Sequence, residues 1–247
     1  MPKTQNIDLS NKSKGILYLI PSTLGSESQP NDVLPELNRH IIESLTVFIV
    51  EELKTARRFL KRINKDINID AIEFLIFNEH TVKTDLAQYI APLLNGRNVG
   101  LLSEAGLPCI ADPGKEIVSE AHEHRITVKP LTGPSSILLA LIASGFNGQN
   151  FAFHGYLPVE KMPRQKKIKQ LEASILPNFQ TQIFIETPYR NNQLMTSLLE
   201  TCHSETLLCV AADISLPTEQ IISTSISRWR KIKYDFNKRP AVFLVYQ

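Results

Sequence analysis

The sequence predicts an α/β protein of two domains, an N-terminal parallel sheet flanked by helices and a C-terminal mixed sheet. Short apolar runs alternate with amphipathic stretches across short connectors, which is the pattern of a parallel sheet covered on both faces. The second half carries apolar strands and helices of its own, and 247 residues are enough for two domains of modest size. The expected division is a polar leader over 1–14, a first domain over 15–131 and a second over 132–247.

Taken in order, Gly15-Ile-Leu-Tyr-Leu-Ile20 reads as a short buried strand ended by Pro21-Ser-Thr-Leu-Gly25. A helix is expected over 32–44, a second strand at Val47-Phe-Ile-Val50 and an amphipathic helix over 51–65. Glu73-Phe-Leu-Ile-Phe77 is a third strand, 85–94 a helix and Asn98-Val-Gly-Leu-Leu102 a fourth strand. A helix over 114–124 and the strand Thr127-Val-Lys-Pro-Leu131 complete the first half. The second half opens with Gly133-Pro-Ser-Ser136 and the apolar segment 137–144. Strands follow near 151–156, 181–186, 207–212 and 241–246, with helices over 160–175 and 190–201.

Composition removes several classes. With 27 Lys and Arg against 25 Asp and Glu, global charge does not mark a nucleic-acid binder, although a local patch still can. Cys109, Cys202 and Cys209 are odd in number and show no CxxC spacing, which speaks against a disulfide framework or structural zinc and fits a reducing, cytoplasmic setting. The leader lacks the apolar core of a signal peptide, and no apolar run is long enough to span a membrane. P-loop, GxGxxG, HExxH and GxSxG motifs are absent. His40, His80, His122, His124, His154 and His203 are scattered, so no metal site is expected.

In an open α/β sheet, ligands bind beyond the C-terminal strand ends. The loops 21–26, 103–114 and 132–136 take such positions, and the middle one is the most informative. Ser103-Glu-Ala-Gly-Leu-Pro-Cys-Ile-Ala-Asp-Pro-Gly114 holds two glycines and two prolines in twelve residues, with carboxylates at Glu104 and Asp112. It reads as a ligand loop or as a tight turn in which Asp112 caps a helix starting near Pro113; the two readings are compatible.

Four motifs in order, Leu17-Tyr-Leu-Ile-Pro-Ser-Thr-Leu-Gly25, the loop 103–114, Thr132-Gly-Pro-Ser-Ser136 and Glu186-Thr-Pro-Tyr-Arg190, resemble the tetrapyrrole (corrin/porphyrin) methylase superfamily. Ser-Gly145 followed by Phe151-Ala-Phe-His-Gly-Tyr-Leu-Pro158 is similar to its branch of small-subunit ribosomal-RNA 2′-O-ribose methyltransferases. The resemblance implies S-adenosyl-L-methionine as methyl donor, held in a cofactor cleft between two α/β domains. It implies donor contacts from Leu24, Ser103, Glu104, Leu107 and Ile110, from Ser135 and Ser136, and from Phe184, Ile185, Val210 and Ala211. It also implies small-subunit ribosomal RNA or the 30S particle as partner, a homodimer, and no membrane.

A hydroxyl acceptor must lose a proton, and Glu51, Glu79 and His80 are the candidate bases, with Arg190 on the acceptor side. Glu51 is equally suited to starting a helix, and Glu186 to an ion pair with Arg190. The chain departs from the branch at Lys54, Tyr189, Ala212 and Leu216, where the branch has Arg, His, Arg and Lys. Those departures keep two alternatives open: methylation of a small molecule or tetrapyrrole, and a donor-binding module with little catalysis. The basic run 161–169, with Arg228, Arg230, Lys231 and Lys233, reads as a solvated helix face or an RNA-facing patch.

Overall fold

The structure, a computed structural model, describes residues 13–78, 80–81 and 86–247. The chain forms two compact units, one of residues up to 23 with 29–134, the other of 24–28 with 135–247.

In the first unit, β1 (Ile16–Ile20), β2 (Val47–Val50), β3 (Glu73–Ile76), β4 (Val99–Leu102) and β5 (Thr127–Pro130) form a sheet in the order β3-β2-β4-β1-β5. Every pairing in it is parallel. Its inner strands β1, β2 and β4 are apolar because both faces are covered. One face packs Ile20, Phe48, Val50 and Leu102 under α2 (Glu36–Ser44) and α3 (Leu53–Ile63). The other packs Leu17, Val47, Ile49, Val99 and Leu101 under α4 (Ala87–Leu94) and α5 (Lys115–Glu123). Helix α3 buries Ala56, Phe59, Leu60 and Ile63, the spacing of one helical stripe, and the Glu52 side chain caps it by accepting from Thr55 N at 2.8 Å. Gly100 in β4 has no room for a side chain: a Cβ would lie 2.5 Å from Ile20 Cδ1 and 3.0 Å from Phe48 Cδ1.

The helix expected over 32–44 is two, α1 (Pro30–Val33) and α2, because Pro35 interrupts it. The helix expected from Asp85 is seen from Ala87; Asp85 is outside the described residues.

The second unit holds β6 (Phe151–Tyr156), β7 (Thr181–Ile185), β8 (Leu207–Ala212), β9 (Gln220–Ser225) and β10 (Ala241–Tyr246) in the order β6-β7-β10-β8-β9. Only β6 and β7 pair in parallel, so the sheet is mixed. Strand period two sorts its side chains. Phe184, Leu208, Val210, Ala212 and Phe243 join α7 (Lys161–Ala173), the short α8 (Ile175–Asn178), α9 (Asn191–Thr201) and Trp229 in one core. Ile183, Cys209, Ala211, Val242 and Leu244 face α6 (Ser136–Ser144) on the other side. Trp229 is fully buried and donates from Nε1 to the Leu208 carbonyl at 2.8 Å, as a buried indole requires.

Strand β9 was not expected. Its sequence Gln-Ile-Ile-Ser-Thr-Ser is hydroxyl-rich, and as the sheet edge it pairs only with β8, so its side chains need no continuous apolar run. Residues 24–28 pack with the second unit: Ser28 Oγ donates to the Ser215 carbonyl at 3.0 Å, and Leu24 lies against the α6 core. A Cβ on Gly25 would sit 2.7 Å from Leu216 Cδ2, so glycine here lets the segment lie against that leucine.

Candidate active site

The topology of the first sheet makes a crevice. Neighbouring strands β1 and β4 send their chains to opposite faces, β1 toward α2 and β4 toward α5, so the loops after them diverge. The two loops are tied at their base: Ser22 N donates to the Gly106 carbonyl at 2.9 Å, and buried Ser103 donates from Oγ to that same carbonyl. Four residues of the 103–114 loop hold positive φ: Gly106 at 72°, Cys109 at 66°, Ala111 at 60° and Gly114 at 126°. Two of these are not glycine, and left-handed non-glycine residues cluster where a loop is shaped for a ligand.

The shape converges three carboxylates. Glu51 follows β2 directly, Glu104 lies two residues past β4, and Asp112 sits at the far end of the loop. Glu104 is exposed and accepts from Thr55 Oγ1 at 2.8 Å, which joins the loop to the start of α3. The Asp112 carboxyl is pushed up to about 7, first by burial and then by the negative charges of Glu51 and Glu104. Its Oδ2 is enclosed and has no hydrogen-bond partner among the described residues. The result is a cluster of three carboxylates with one acceptor unused, suited to a cationic ligand that brings hydrogen-bond donors.

Asp112 does not cap α5. That helix starts at Lys115 with Gly114 at its N-cap and no side-chain cap bond, because the positive φ of Gly114 carries the chain past Asp112 before the first turn forms. Glu51 does not cap α3 either; Glu52 takes that role. Burial, followed by the charges of Asp112 and Glu116, raises the Cys109 thiol to about 11, so it stays a protonated, apolar filler beside the α5 core.

The remaining first-unit candidates divide. Leu107 is partly buried and Ile110 is 44% exposed, both on the same loop. His80 is exposed on a turn built by Asn78, whose Oδ1 accepts from His80 N at 3.0 Å and from Thr81 Oγ1 at 3.3 Å. Glu79 lies outside the described residues.

In the second unit, Ser135 caps α6 by accepting from Leu138 N at 3.4 Å, and Ser136 is the first residue of that helix. Leu24, Ile185 and Ala211 share the α6 side of the sheet. Phe184 and Val210 point the other way. Phe184 is fully buried and stacks on Phe243 at 6.1 Å, so its ring is a core group and only its backbone is left to face a ligand; β-strand alternation gives the α6 face to Ile185 instead. Arg190 is committed to Glu186: Nη2 and Nε donate to Oε1 at 2.7 and 3.1 Å. Glu186 Oε2 is buried and lacks a partner among the described residues.

Sequence reasoning missed two partners. Thr55, which holds Glu104, has no spacing signal across a sequence separation of 49. Arg239 donates to Asp213 Oδ2 at 2.7 Å, to Gln220 Oε1 and to the Thr218 carbonyl, locking the turn that follows β8. Ala212 is fully buried in one core with Trp229 and α9, so its methyl is a packing group. The basic patch also shrinks. Arg164 is buried and bonded to Ser197 Oγ and the Val159 carbonyl, and Arg230 closes the C-terminal end of α9 through the carbonyls of Leu199 and Cys202. Exposed Lys166, Lys169, Arg228, Lys231 and Lys233 remain.

A two-sheet α/β fold with an acidic, ligand-shaped crevice at the strand ends defines the class. Its likeness to solved structures says the same of the fold: the methyltransferase CobJ superposes with a TM-score of 0.62 at 17% identity, covering 95% of each chain. Uroporphyrin-III-C-methyltransferase from Thermus thermophilus does so with 0.54 at 18% identity, covering 94% of this chain and 92% of that one. A family model for the Tetrapyrrole (Corrin/Porphyrin) Methylases matches residues 30–229, and the chain belongs to that family. Its relatives include "Ribosomal RNA small subunit methyltransferase I" of Bacillus subtilis, 32% identical over 220 residues, covering 86% of this chain and 68% of that protein. The protein of the same name from Halalkalibacterium halodurans is 30% identical over 204 residues, 80% of this chain and 64% of its own length. The chain thus spans about two thirds of these relatives.

Proposed function

We propose that the chain is an S-adenosylmethionine-dependent methyltransferase whose acceptor is a ribose 2′-hydroxyl of small-subunit ribosomal RNA. The observation that carries the donor assignment is the convergence of Glu51, Glu104 and Asp112 at the crevice of the first sheet. Carboxylates suit a ligand that is a sulfonium cation and also carries amino and ribose hydroxyl groups, and the unused Asp112 Oδ2 has an acceptor to offer. The acceptor assignment is supported by the names of the relatives, and by the exposed cations of α7 and 228–233 along one side of the second sheet, which suit a phosphate backbone.

The donor supplies a methyl group on an already good leaving group, so the protein's work is alignment and proton removal. Glu104, steadied by Thr55, orients the donor, and the loop carbonyls and apolar side chains of Leu107 and Ile110 enclose it. In the second unit, Ser135, Ser136, Ile185 and the Val210–Ala211 backbone are the proposed donor contacts, on the resemblance of their motifs. Glu51, directly after β2, is the candidate base for the acceptor hydroxyl, with Glu79 and His80 the other two. A cytoplasmic homodimer is part of the proposal; the exposed Leu138 and Ile142, one turn apart on α6, support a further apolar contact.

Calorimetric titration with S-adenosylmethionine, followed by labelled-methyl transfer to small-subunit particles prepared without the modification, tests the reading. Binding with transfer to RNA supports it. Binding without transfer moves the acceptor elsewhere, and an absence of binding removes the donor assignment.

A further inference from the structure

Tyr189 is the most exposed aromatic side chain of the described residues, at 73%, yet its backbone is among the most constrained. It is the middle residue of the short 3-10 helix Pro188–Arg190. Before it, Thr187 N donates to Glu186 Oε1 at 2.7 Å; after it, Arg190 N closes onto the Thr187 carbonyl at 2.8 Å. The Glu186–Arg190 ion pair spans the turn. From the C-terminal segment, Lys238 N donates to the Pro188 carbonyl at 3.0 Å, and Asn191 Nδ2 donates to the carbonyls of Arg239 and Phe236 at 2.6 and 3.2 Å. Phe236 is itself held beneath the Arg239 guanidinium and against Tyr234. The ring is therefore mounted on a rigid turn and stacks on no other aromatic among the described residues.

Single exposed aromatics are ordinary on a protein surface. The surroundings distinguish this one. Its turn is tied to a segment, 228–240, that holds six Lys and Arg against one Asp, and exposed Lys238 is joined to that turn through its backbone. No other large exposed apolar side chain lies in either tied segment, 186–191 or 228–240, which speaks against an apolar protein interface. A planar ring on a constrained turn, tied to a cation-rich segment, is the chemistry that recognises an unpaired nucleobase with its phosphates.

We propose that Tyr189 is a stacking platform for a splayed base of single-stranded RNA, with Lys238 and the other exposed cations of 228–240 on the adjoining phosphates. The proposal rests on the RNA reading above and names the surface that reads it.

The test is fluorescence anisotropy of the full chain with a short fluorescein-labelled single-stranded RNA, comparing wild type, Tyr189→Ala and Tyr189→Phe at one salt concentration. Tyr189→Ala weakens binding ~10-fold and Tyr189→Phe by no more than about twofold, since stacking needs the ring and not the hydroxyl. Cross-linking with iodouridine-substituted RNA, mapped by peptide mass spectrometry, marks Tyr189. Melting temperature and S-adenosylmethionine affinity are unchanged in both variants, which separates stacking from folding. Equal RNA affinity in wild type and Tyr189→Ala overturns the platform while leaving the RNA reading intact, and assigns the ring to a protein contact instead. Failure of the wild type to bind RNA overturns both.

Discussion

At the residue scale, the acidic crevice makes the sharpest predictions. Glu104→Ala removes the partner of Thr55 and, on the proposed donor assignment, should weaken S-adenosylmethionine binding by ~10-fold, the order of one charge-assisted hydrogen bond. Unchanged affinity by calorimetry would remove Glu104 from the donor set. Asp112 carries a pH signature. Its folded carboxyl titrates at about 7, against an ordinary 3.8, so the folded state holds a proton that the unfolded state has released. Between those values stability therefore falls as pH rises, and the loss is complete above about 7. Asp112→Asn should remove that slope: melting temperatures of the two proteins converge near pH 4 and diverge, with the variant higher, at pH 8. Arg190 shows how a functional candidate can also be structural. Arg190→Ala leaves the buried Glu186 carboxylate without its counter-charge, and should cost about 1–3 kcal/mol in urea unfolding besides any loss of methyl transfer.

At the scale of elements, the crevice exists because β1 and β4 lie side by side with their helices on opposite faces. Gly100 in β4 is what allows Ile20 of β1 and Phe48 of β2 to pack across it. Gly100→Ala should overpack this layer and destabilise the protein by about 1–3 kcal/mol, read as a lower urea midpoint with unchanged slope. A neutral outcome would mean that Ile20 and Phe48 have room to repack. Elements read well from the sequence where the physics is local. The stripe of α3 and the apolar β2 and β4 all carry their own signals. β9 does not, because an edge strand of Ser, Thr and Gln is defined by the ladder it makes with β8 and not by its composition.

For the whole molecule, each unit has a sheet buried on both faces, and the alternation along β7 decides which residues serve the core. Phe184→Ala removes a fully buried ring stacked on Phe243 and should cost about 3–5 kcal/mol, whereas Ile185 lies on the opposite, α6 face of the sheet. Thermal denaturation showing little change in Phe184→Ala would contradict that division of labour.

The sequence by itself determined the α/β class, the order of nearly all elements and the family, because hydrophobic period, turn residues and motif order are properties of neighbours along the chain. It also named Glu51, Glu104 and Asp112, though not as a group. Only the tertiary structure brought them together, raised the Asp112 carboxyl to about 7, tied Glu104 to Thr55 and set Leu24 with the second unit. It likewise separated Phe184 from Ile185 and pinned the turn that presents Tyr189. These features depend on which segments, far apart in sequence, share a dielectric boundary or a hydrogen bond, and that is fixed by strand order and helix side.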